Sequence, residues 1–285
     1  LRIVDQGGTV LDVEKLGFEP ESLKRLKECA LKPHGMILTC GPTGSGKTTT
    51  LYSILKSVDS PEKNIVTVED PVEYQMRGLN QVNVRPTMGL TFATSLRSIL
   101  RHDPDIMMVG EVRDIETAEI AIQSALTGHL IFSTLHTNDA ASGVTRLLDM
   151  GVDPYLVTST VDCFIAQRLV RTICPKCKEE IKLTAELFKN FEEFLKSDEI
   201  IHFYQGRGCE QCNFTGYIGR EPIYEVLFIN ESIRDLVMQR RTANEIKDQA
   251  VKNGMMTLRE SGWIKVKQGK TNPQEVMRVT QEDLD

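Results

Sequence analysis

Residues 41–48 read Gly-Pro-Thr-Gly-Ser-Gly-Lys-Thr and match the spacing G-x-x-x-x-G-K-[ST] at every fixed position. An apolar run, Met36 to Cys40, comes directly before them, and a helical pattern begins near Lys47. Between a strand and a helix, such glycines let the backbone turn so that several N–H groups point at one phosphate. The run therefore predicts a phosphate-binding loop; a glycine-rich turn that binds nothing is the alternative.

The polar side chains of this loop have expected roles. Lys47 should reach the β- and γ-phosphates of a nucleotide, and the Thr48 hydroxyl should ligate Mg²⁺. The nucleotide-binding residues that we predict are Gly41, Pro42, Thr43, Gly44, Ser45, Gly46, Lys47, Thr48 and Thr49.

Short apolar runs and helical patterns alternate through the first 170 residues. Buried strands that alternate with helices predict an α/β fold with a mostly parallel sheet covered by helices. The predicted strands are 36–40, 64–68, 105–109 and 130–134, and the predicted helices are 47–57, 91–101 and 114–127, with another after Pro20. We interpret segment 71–85 as an inserted hairpin.

Acidic residues follow two of these predicted strands. Glu111 stands just after strand 105–109, and Glu69, Asp70 and Glu73 form a second cluster after strand 64–68. Open parallel sheets bind ligands at the carboxyl ends of their strands, so these side chains should lie near the phosphate-binding loop. Glu111 could hold Mg²⁺ or orient the attacking water. The second cluster could face the same edge, or it could belong to a solvated loop.

The fourth predicted strand is flanked by His129 and His136, and its end also carries hydroxyl side chains. His136 could sense a γ-phosphate from this strand end, although a lone histidine is more often structural. Arg97, Arg101 and Arg113 are candidates for stabilising transition-state charge, in their own subunit or in a neighbour's.

Four of the seven cysteines form two C-x-x-C pairs, Cys174 with Cys177 and Cys209 with Cys212. Two thiolates two residues apart converge on one metal, and two such pairs complete a tetrahedral shell that suits Zn²⁺. The 31 residues between the pairs exceed the common spacing of about 15–20. A redox site is the alternative, although one pair would suffice for it. The other cysteines are expected to be small buried hydrophobes: Cys29, Cys40 and Cys163.

Composition narrows the class of protein. The chain has 40 acidic and 34 basic residues, and its net charge of −6 makes it a poor default nucleic-acid binder. No apolar run approaches the roughly 18 residues that a membrane helix needs, and we find no signal peptide. Because residue 1 is Leu rather than Met, we expect the chain to be a fragment.

Long motifs carry a family resemblance. The runs GPTGSGKTTTLY (41–52), TVEDPVEY (67–74), LRSILRHDPDIMMVGEVRD (96–114) and TGHLIFSTLHTND (127–139) are similar, in order, to a Walker A motif, an Asp box, an atypical Walker B motif and a His box. AQRLVRTICPKC (166–177) and GCEQC (208–212) resemble a tetracysteine region. From residue 1 to about 281 the chain resembles the bacterial ATPases that power type II secretion and assemble type IV pili.

The resemblance implies a RecA-like P-loop NTPase domain, then a small tetracysteine zinc subdomain and a helical C-terminal region. The implied ligands are ATP, Mg²⁺ and Zn²⁺. The implied site residues are Lys47 and Thr48 for phosphate and Mg²⁺, Glu111 as catalytic carboxylate, Glu69 and Glu73 near metal or water, and His136 at the γ-phosphate. Relatives carry arginines around the site that match Arg97, Arg101 and Arg113.

The resemblance also implies a cytoplasmic homohexamer that hydrolyses ATP to assemble a pilus or pseudopilus. Its implied partners are inner-membrane platform proteins and cytoplasmic docking proteins, with no nucleic acid. Residues 166–177 and 208–220 are slightly more similar to the type II secretion members than to the pilus assembly members. A PAS-like N-terminal domain is expected mostly before residue 1.

Two other functions stay open at this stage. A phosphotransferase would pass the γ-phosphate to a small acceptor, but no acceptor lid is evident in the sequence. A nucleic-acid translocase is disfavoured by the acidic charge and the aromatic content of 6%. A GTPase is disfavoured because we find no N-K-x-D run.

The expected domains are an ATPase domain over 1–172, a zinc subdomain over 173–215 and a helical region over 216–285. Between the cysteine pairs, residues 187–195 follow a helical pattern. Capping signals predict further short helices at Thr242, Thr257 and Asn272, and Gly254 and Gly269 should end two of them.

Overall fold

The computed structural model describes residues 12–182 and 202–280, and the predicted helix over 187–195 lies outside them. Within these residues the α-helices are α1 Pro20–Ala30, α2 Lys47–Val58, α3 Phe92–Ile99, α4 Ile115–Leu126, α5 Ala140–Asp149, α6 Pro154–Thr160, α7 Glu231–Met238, α8 Ala243–Lys252, α9 Leu258–Lys267 and α10 Pro273–Thr280. The strands are β1 Gly35–Cys40, β2 Ile65–Glu69, β3 Leu79–Asn83, β4 Ile106–Val109, β5 Leu130–Leu135, β6 Val161–Ile173, β7 Lys178–Ile181, β8 Phe203–Gly206 and β9 Tyr217–Phe228.

Seven strands form one sheet in the order β3-β2-β4-β5-β1-β6-β9. The pairs from β3 to β6 are all parallel. Every residue of β1, β2, β4 and β5 is buried, which is why these strands are continuous apolar runs in the sequence. The mostly parallel α/β fold, the four predicted strands and the helices between them are confirmed.

The prediction of an inserted hairpin over 71–85 is wrong. That segment contributes the single strand β3, which pairs in parallel with β2 from Ile65↔Leu79 to Glu69↔Asn83. Residues 70–78 carry the chain back to the start of β2, so the partner available to β3 is the open edge of β2. A sequence pattern marks such a strand but not the neighbour with which it pairs.

Contacts divide the chain into two compact units, and the boundaries fall inside β6 and β9. The first unit is Leu1–Ala166 with Val226–Met255, and the second is Gln167–Glu225 with Met256–Asp285. The expected boundaries after residues 172 and 215 follow composition, whereas these units follow packing. Helices α7 and α8 therefore belong to the unit that contains the phosphate-binding loop.

In the first unit, α7 and α8 are fixed by buried apolar side chains. Ile233, Val237 and Ile246 have no exposed surface, and Ile229 N–H donates to the Asp162 carbonyl at 2.9 Å. The predicted cap at Thr242 is present, because its hydroxyl accepts from Glu245 N–H at 3.3 Å. Gly254 follows α8 with φ of 90°, a left-handed conformation that suits glycine and confirms the predicted stop.

In the second unit, β7 and β8 pair antiparallel, from Lys178↔Gly206 to Ile181↔Phe203. The predicted cap at Asn272 begins α10, but Glu275 takes a different role from that of a capping-box acid. Its two carboxylate oxygens accept hydrogen bonds from the Arg171 and Arg278 guanidinium groups, each with a nitrogen–oxygen distance of 2.7 Å. Burial raises the pKa of Glu275, but the two guanidinium groups lower it to about 2. Glu275 therefore stays ionised and ties α10 to β6 within this unit.

Candidate functional site

The phosphate-binding loop leaves β1 at Gly41 and enters α2 at Lys47. Gly44 and Gly46 have φ of 81° and 91°, so the loop needs glycine at these two positions. Lys47 is only 8% exposed, and its ammonium donates to the carbonyl oxygens of Gly41 at 2.7 Å and Pro42 at 3.0 Å. The loop thus curls around its own lysine, which keeps this cation at the start of the helix.

Two observations fit a phosphate group at this loop. Gly46, the residue before helix α2, provides no side-chain cap, whereas Asp114 and Asp139 cap the first turns of α4 and α5. The buried Ser45 hydroxyl has no hydrogen-bond partner among the described residues. An uncapped helix N-terminus and an unsatisfied hydroxyl are groups that an anion can satisfy.

The acidic side chain after β4 lies in a cluster of three residues. One oxygen of the Glu111 carboxylate pairs with the Arg113 guanidinium, and the other lies 3.2 Å from His136 Nε2. Glu111 is 8% exposed, whereas the side chains of Arg113 and His136 are 66% and 48% exposed. The hydrogen bond that Arg113 donates to the Glu111 carboxylate raises the pKa of Arg113 above its ordinary value. The structure therefore brings together three of the predicted site residues.

Strand pairing fixes this cluster. The hydroxyls of Ser133 and Thr134 each donate at 2.7 Å to carbonyl oxygens at the end of β4, those of Val109 and Gly110. At Gly110 a Cβ would lie 3.2 Å from the Val68 carbonyl oxygen, so a residue with a side chain would require the β2 backbone to shift by a few tenths of an ångström. These contacts hold Glu111 at the carboxyl edge of the sheet. The loop follows β1 and Glu111 follows β4, so one strand, β5, separates them at this edge of the sheet.

Glu69, at the end of β2, has neutral partners. It is 3% exposed and accepts from the Tyr52 hydroxyl, from the Thr67 hydroxyl at 2.5 Å and from the Gln81 amide at 3.3 Å. Burial and the neighbouring Glu69 raise the pKa of Tyr52, so its phenol stays protonated and donates. The described contacts of Glu69 are thus those of a buried, hydrogen-bonded carboxylate. Tyr52 and Gln81 were not predicted from sequence, because only the folded chain brings α2 and β3 to the end of β2.

Glu73 lies in the loop after β2 and is half-buried. The Glu73 backbone forms a hydrogen bond with the Tyr52 hydroxyl. The rings of Tyr52 and Tyr74 pack edge to face, with their centroids 4.8 Å apart. The loop is therefore packed on α2, the helix that begins at Lys47. Glu69 and Glu73 belong to one network around Tyr52, separate from the hydrogen bonds of Glu111.

The three predicted arginines take different positions. Arg113 joins Glu111, as described above. Arg97 pairs with Glu116 at 2.8 Å, and both side chains are more than half exposed. These two line an open cavity of about 420 Å³ between α3 and α4. Arg101 is exposed in the turn after α3. In this chain, Arg97 and Arg101 therefore lie outside the described Glu111 cluster.

The four paired cysteines converge in the second unit. All four sulfur atoms lie within 4.8 Å of one another. Neighbouring Sγ–Sγ distances are 3.8 Å for Cys174 and Cys209, 3.9 Å for Cys177 and Cys212, and 3.7 Å for Cys209 and Cys212. Sulfurs about 2.3 Å from a tetrahedral metal are separated by about 3.8 Å, so these distances fit a metal site. They are far longer than the bond of a disulfide, which is about 2.05 Å.

Backbone N–H groups point at this cluster. Gly208 donates to Cys177 Sγ at 3.3 Å, and Cys209 and Gly216 donate to Cys212 Sγ at 3.2 and 3.3 Å. Burial raises the pKa of the Cys212 thiol, but the two N–H groups and the neighbouring thiols lower it to about 6. These donors favour the thiolate, which is the form that binds metal. The remaining cysteines Cys29, Cys40 and Cys163 are buried, as predicted.

A phosphate-binding loop after an interior strand of a mostly parallel sheet, with a carboxylate at the end of a nearby strand, defines a P-loop nucleotide-binding protein. The sequence match gives the family. The model of the Type II/IV secretion system protein family matches residues 1–278, and the chain belongs to this family.

Its relatives come from two kinds of machine. The chain is 47% identical over 280 residues to the type IV pilus assembly ATPase PilB of Thermus thermophilus, with 98% of the chain covered. It is 49% identical over 283 residues to the type II secretion system protein E of Xanthomonas campestris and 45% identical over 282 residues to the type II secretion system ATPase E of Vibrio cholerae, with 99% covered in each case. It spans 32%, 50% and 56% of the lengths of these three relatives.

Solved structures agree with the fold. The crystal structure of the pilus retraction motor PilT with bound ADP has a TM-score of 0.70 and 28% identity, over 95% of this chain and 67% of PilT. The ATPase DotB of Legionella pneumophila, at 22% identity, has a TM-score of 0.67 over 94% of this chain and 64% of DotB, and shows the fold alone. Among the described residues, no helix has the length and apolar character to cross a membrane.

Proposed function

We propose that this chain is the ATP-hydrolysing part of a motor that assembles a pilus or pseudopilus, with type II secretion slightly favoured over type IV pilus assembly. The observation that carries the proposal is the position of Glu111, which is fixed at the same edge of the sheet as the phosphate-binding loop, with one strand between them. The chain is 45–49% identical to relatives named for type IV pilus assembly and type II secretion, which supports its assignment to one of these two systems.

Each part of the site has a role in this proposal. The N–H groups of the loop, Lys47 and Thr48 hold the phosphates of ATP and the associated Mg²⁺, and that ion neutralises phosphate charge when bound. Glu111 orients the attacking water and accepts its proton. Each carboxylate oxygen has more than one lone pair, so Glu111 can accept from water while it contacts Arg113 and His136. Glu69 and Glu73 position the segment beside α2.

The activity itself can be tested with a matched pair of lysines. With ATP and Mg²⁺ but no acceptor, the protein should release inorganic phosphate. Lys47→Ala should weaken nucleotide binding by about tenfold or more, because it removes a charged hydrogen-bond donor to phosphate. Lys56→Ala, an exposed lysine near the other end of α2, should bind and hydrolyse ATP as the parent does. Fluorescent-nucleotide titration and phosphate release measure the two effects.

The same assay separates the other candidate functions. Release that requires a small phosphate acceptor would indicate a phosphotransferase, and release that requires DNA would indicate a nucleic-acid translocase. Either result would contradict the proposed motor activity. Equal release with and without DNA, in the absence of an acceptor, is the expected outcome.

We also propose that six copies form a ring. Arg97 and Arg101 are exposed and lie outside the described Glu111 cluster, which supports a role toward a neighbouring subunit's nucleotide. The specific activity should therefore rise with protein concentration. Added Lys47→Ala chains should lower it more than dilution predicts, whereas added Lys56→Ala chains should not. A specific activity that is constant at all concentrations and unaffected by Lys47→Ala chains would mean that each site works alone.

For the tetracysteine cluster we propose one structural Zn²⁺. The four sulfur atoms would fill all four tetrahedral positions of a bound ion, so no position would be left for a substrate. Lys176 and Lys178 would offset part of the charge of four thiolates.

The proposed partners are the platform proteins of the inner membrane and the cytoplasmic docking proteins of the secretion or pilus machine, with no nucleic acid. A motor that uses ATP would work on the cytoplasmic side, peripheral to the inner membrane through these partners. Support comes from the relatives, whose names place them in type II secretion or pilus assembly.

A further inference from the structure

The loop that carries His136 is held at its far end by one carboxylate. Asp139 closes the loop from β5 and caps α5, because its Oδ1 accepts from Ser142 N–H at 2.8 Å. Its Oδ2 lies 3.0 Å from Lys247 Nζ. The Thr137 hydroxyl donates at 3.1 Å to the Asp139 carbonyl, which tightens the turn. Each oxygen of the Asp139 carboxylate thus has its own partner, one local and one distant in sequence.

Lys247 belongs to α8, 108 residues farther along the chain. It is flanked by the fully buried Ile246, and Ala250 is 4% exposed, so this face of α8 is packed inside the first unit. The ion pair is partly buried, with 25% of the Lys247 side chain and 18% of the Asp139 side chain exposed. Burial raises the pKa of Asp139, but hydrogen bonds from Ser142 and the charge of Lys247 lower it below its ordinary value.

We propose that Lys247 is a positioning residue for nucleotide hydrolysis: through Asp139 it fixes the loop from β5 to α5, and with it the orientation of His136 toward Glu111. This inference rests on the proposed ATPase activity. It makes α8 a component of the nucleotide site, although residues 216–285 read in the sequence as a separate helical region. The contact through which Lys247 acts is its ion pair with Asp139, at the end of the loop that carries His136.

The first test separates positioning from binding. Lys247→Gln should lower kcat by about tenfold, since a small displacement of a group at the reacting centre has a large effect on rate. KM for ATP should change by less than about twofold, because the phosphate-binding loop is untouched. Lys247→Arg should restore most of kcat, since it keeps the charge. The control is Lys252→Gln, an exposed lysine on the same helix, which should leave both constants unchanged.

A double-mutant cycle tests the path through Asp139. Asn is as good an N-cap as Asp, so Asp139→Asn keeps the start of α5 and removes the ion pair. Its effect on kcat should match that of Lys247→Gln, and the two together should be no worse than either alone. If the double variant instead lowers kcat by the product of the two single effects, the residues act independently and the proposal is overturned. The proposal is also overturned if thermal unfolding shows that a smaller folded fraction fully explains the loss of kcat in Lys247→Gln.

A second readout does not depend on activity. In NMR spectra, Lys247→Gln should shift the ring resonances of His136, assigned with His136→Gln, and should leave those of His34 and His102 in place. Unchanged His136 resonances would overturn the proposal. If these resonances shift but the parent protein releases no phosphate under any condition, the proposed function fails while the coupling of α8 to the His136 loop stands.

Discussion

Replacing Glu111 by Gln should lower ATP turnover by about 100-fold or more and leave nucleotide affinity nearly unchanged. A neutral amide cannot accept a proton from water, and it also gives up the ion pair with Arg113. The phosphate-binding loop does not contact this side chain in the described structure, so binding should survive. Single-turnover hydrolysis and fluorescent-nucleotide titration, run on the same preparation, give the two quantities.

Glu119→Gln is the matched control for this experiment. Glu119 is an exposed carboxylate on α4, in the same unit, and the same substitution there should change neither turnover nor affinity. Undiminished hydrolysis by Glu111→Gln would move the catalytic role to Glu69 or Glu73. Glu69 accepts hydrogen bonds from Tyr52, Thr67 and Gln81. A catalytic role for Glu69 would therefore require some of these hydrogen bonds to break during turnover.

The second large effect concerns the tetracysteine cluster. Elemental analysis should find close to one zinc per chain. Cys209→Ser should lower that zinc content and should unfold the residues that surround the cluster. Apparent zinc-binding free energies of about 10–16 kcal/mol act as local folding free energy, because the site does not exist in the unfolded chain. Limited proteolysis should then cut at residues 174–182 and 202–212 more readily in the variant than in the parent.

Cys29→Ala removes a thiol outside the cluster and should keep the zinc content at the parent value. Cys209 is the most exposed ligand of the four, so its replacement disturbs packing least and reports on the metal. A parent protein without metal, with disulfides at both C-x-x-C pairs, would refute the zinc assignment.

Local sequence was sufficient to predict one part of this molecule. The phosphate-binding loop, its flanking strand and helix, and the buried strands β2, β4 and β5 are each encoded within a few neighbouring residues. The cysteine pairs are also local, and their convergence follows from the chemistry of two C-x-x-C turns. The helix caps at Thr242 and Thr257 depend on residues only three positions apart.

Other features depend on residues that are distant in sequence. The sequence pattern predicts a hairpin at β3, whereas the parallel pairing of β3 with β2 is set by the path of the chain. Arg97 could not be separated from Arg113 by spacing, since its contact with Glu116 forms only when α3 packs beside α4. The partners of Glu69 come from α2, β2 and β3. Strands β6 and β9 were not predicted, because polar residues interrupt their apolar pattern.

The pairing of β7 with β8 bears on how this family can change over evolution. Ile181 lies opposite Phe203 in this pair, and all four paired cysteines lie outside the stretch between these two residues. The pairing of β7 with β8 therefore joins the two halves of the cysteine cluster, whatever the number of residues between Ile181 and Phe203. We expect members of this family to differ in that number while they keep the cluster.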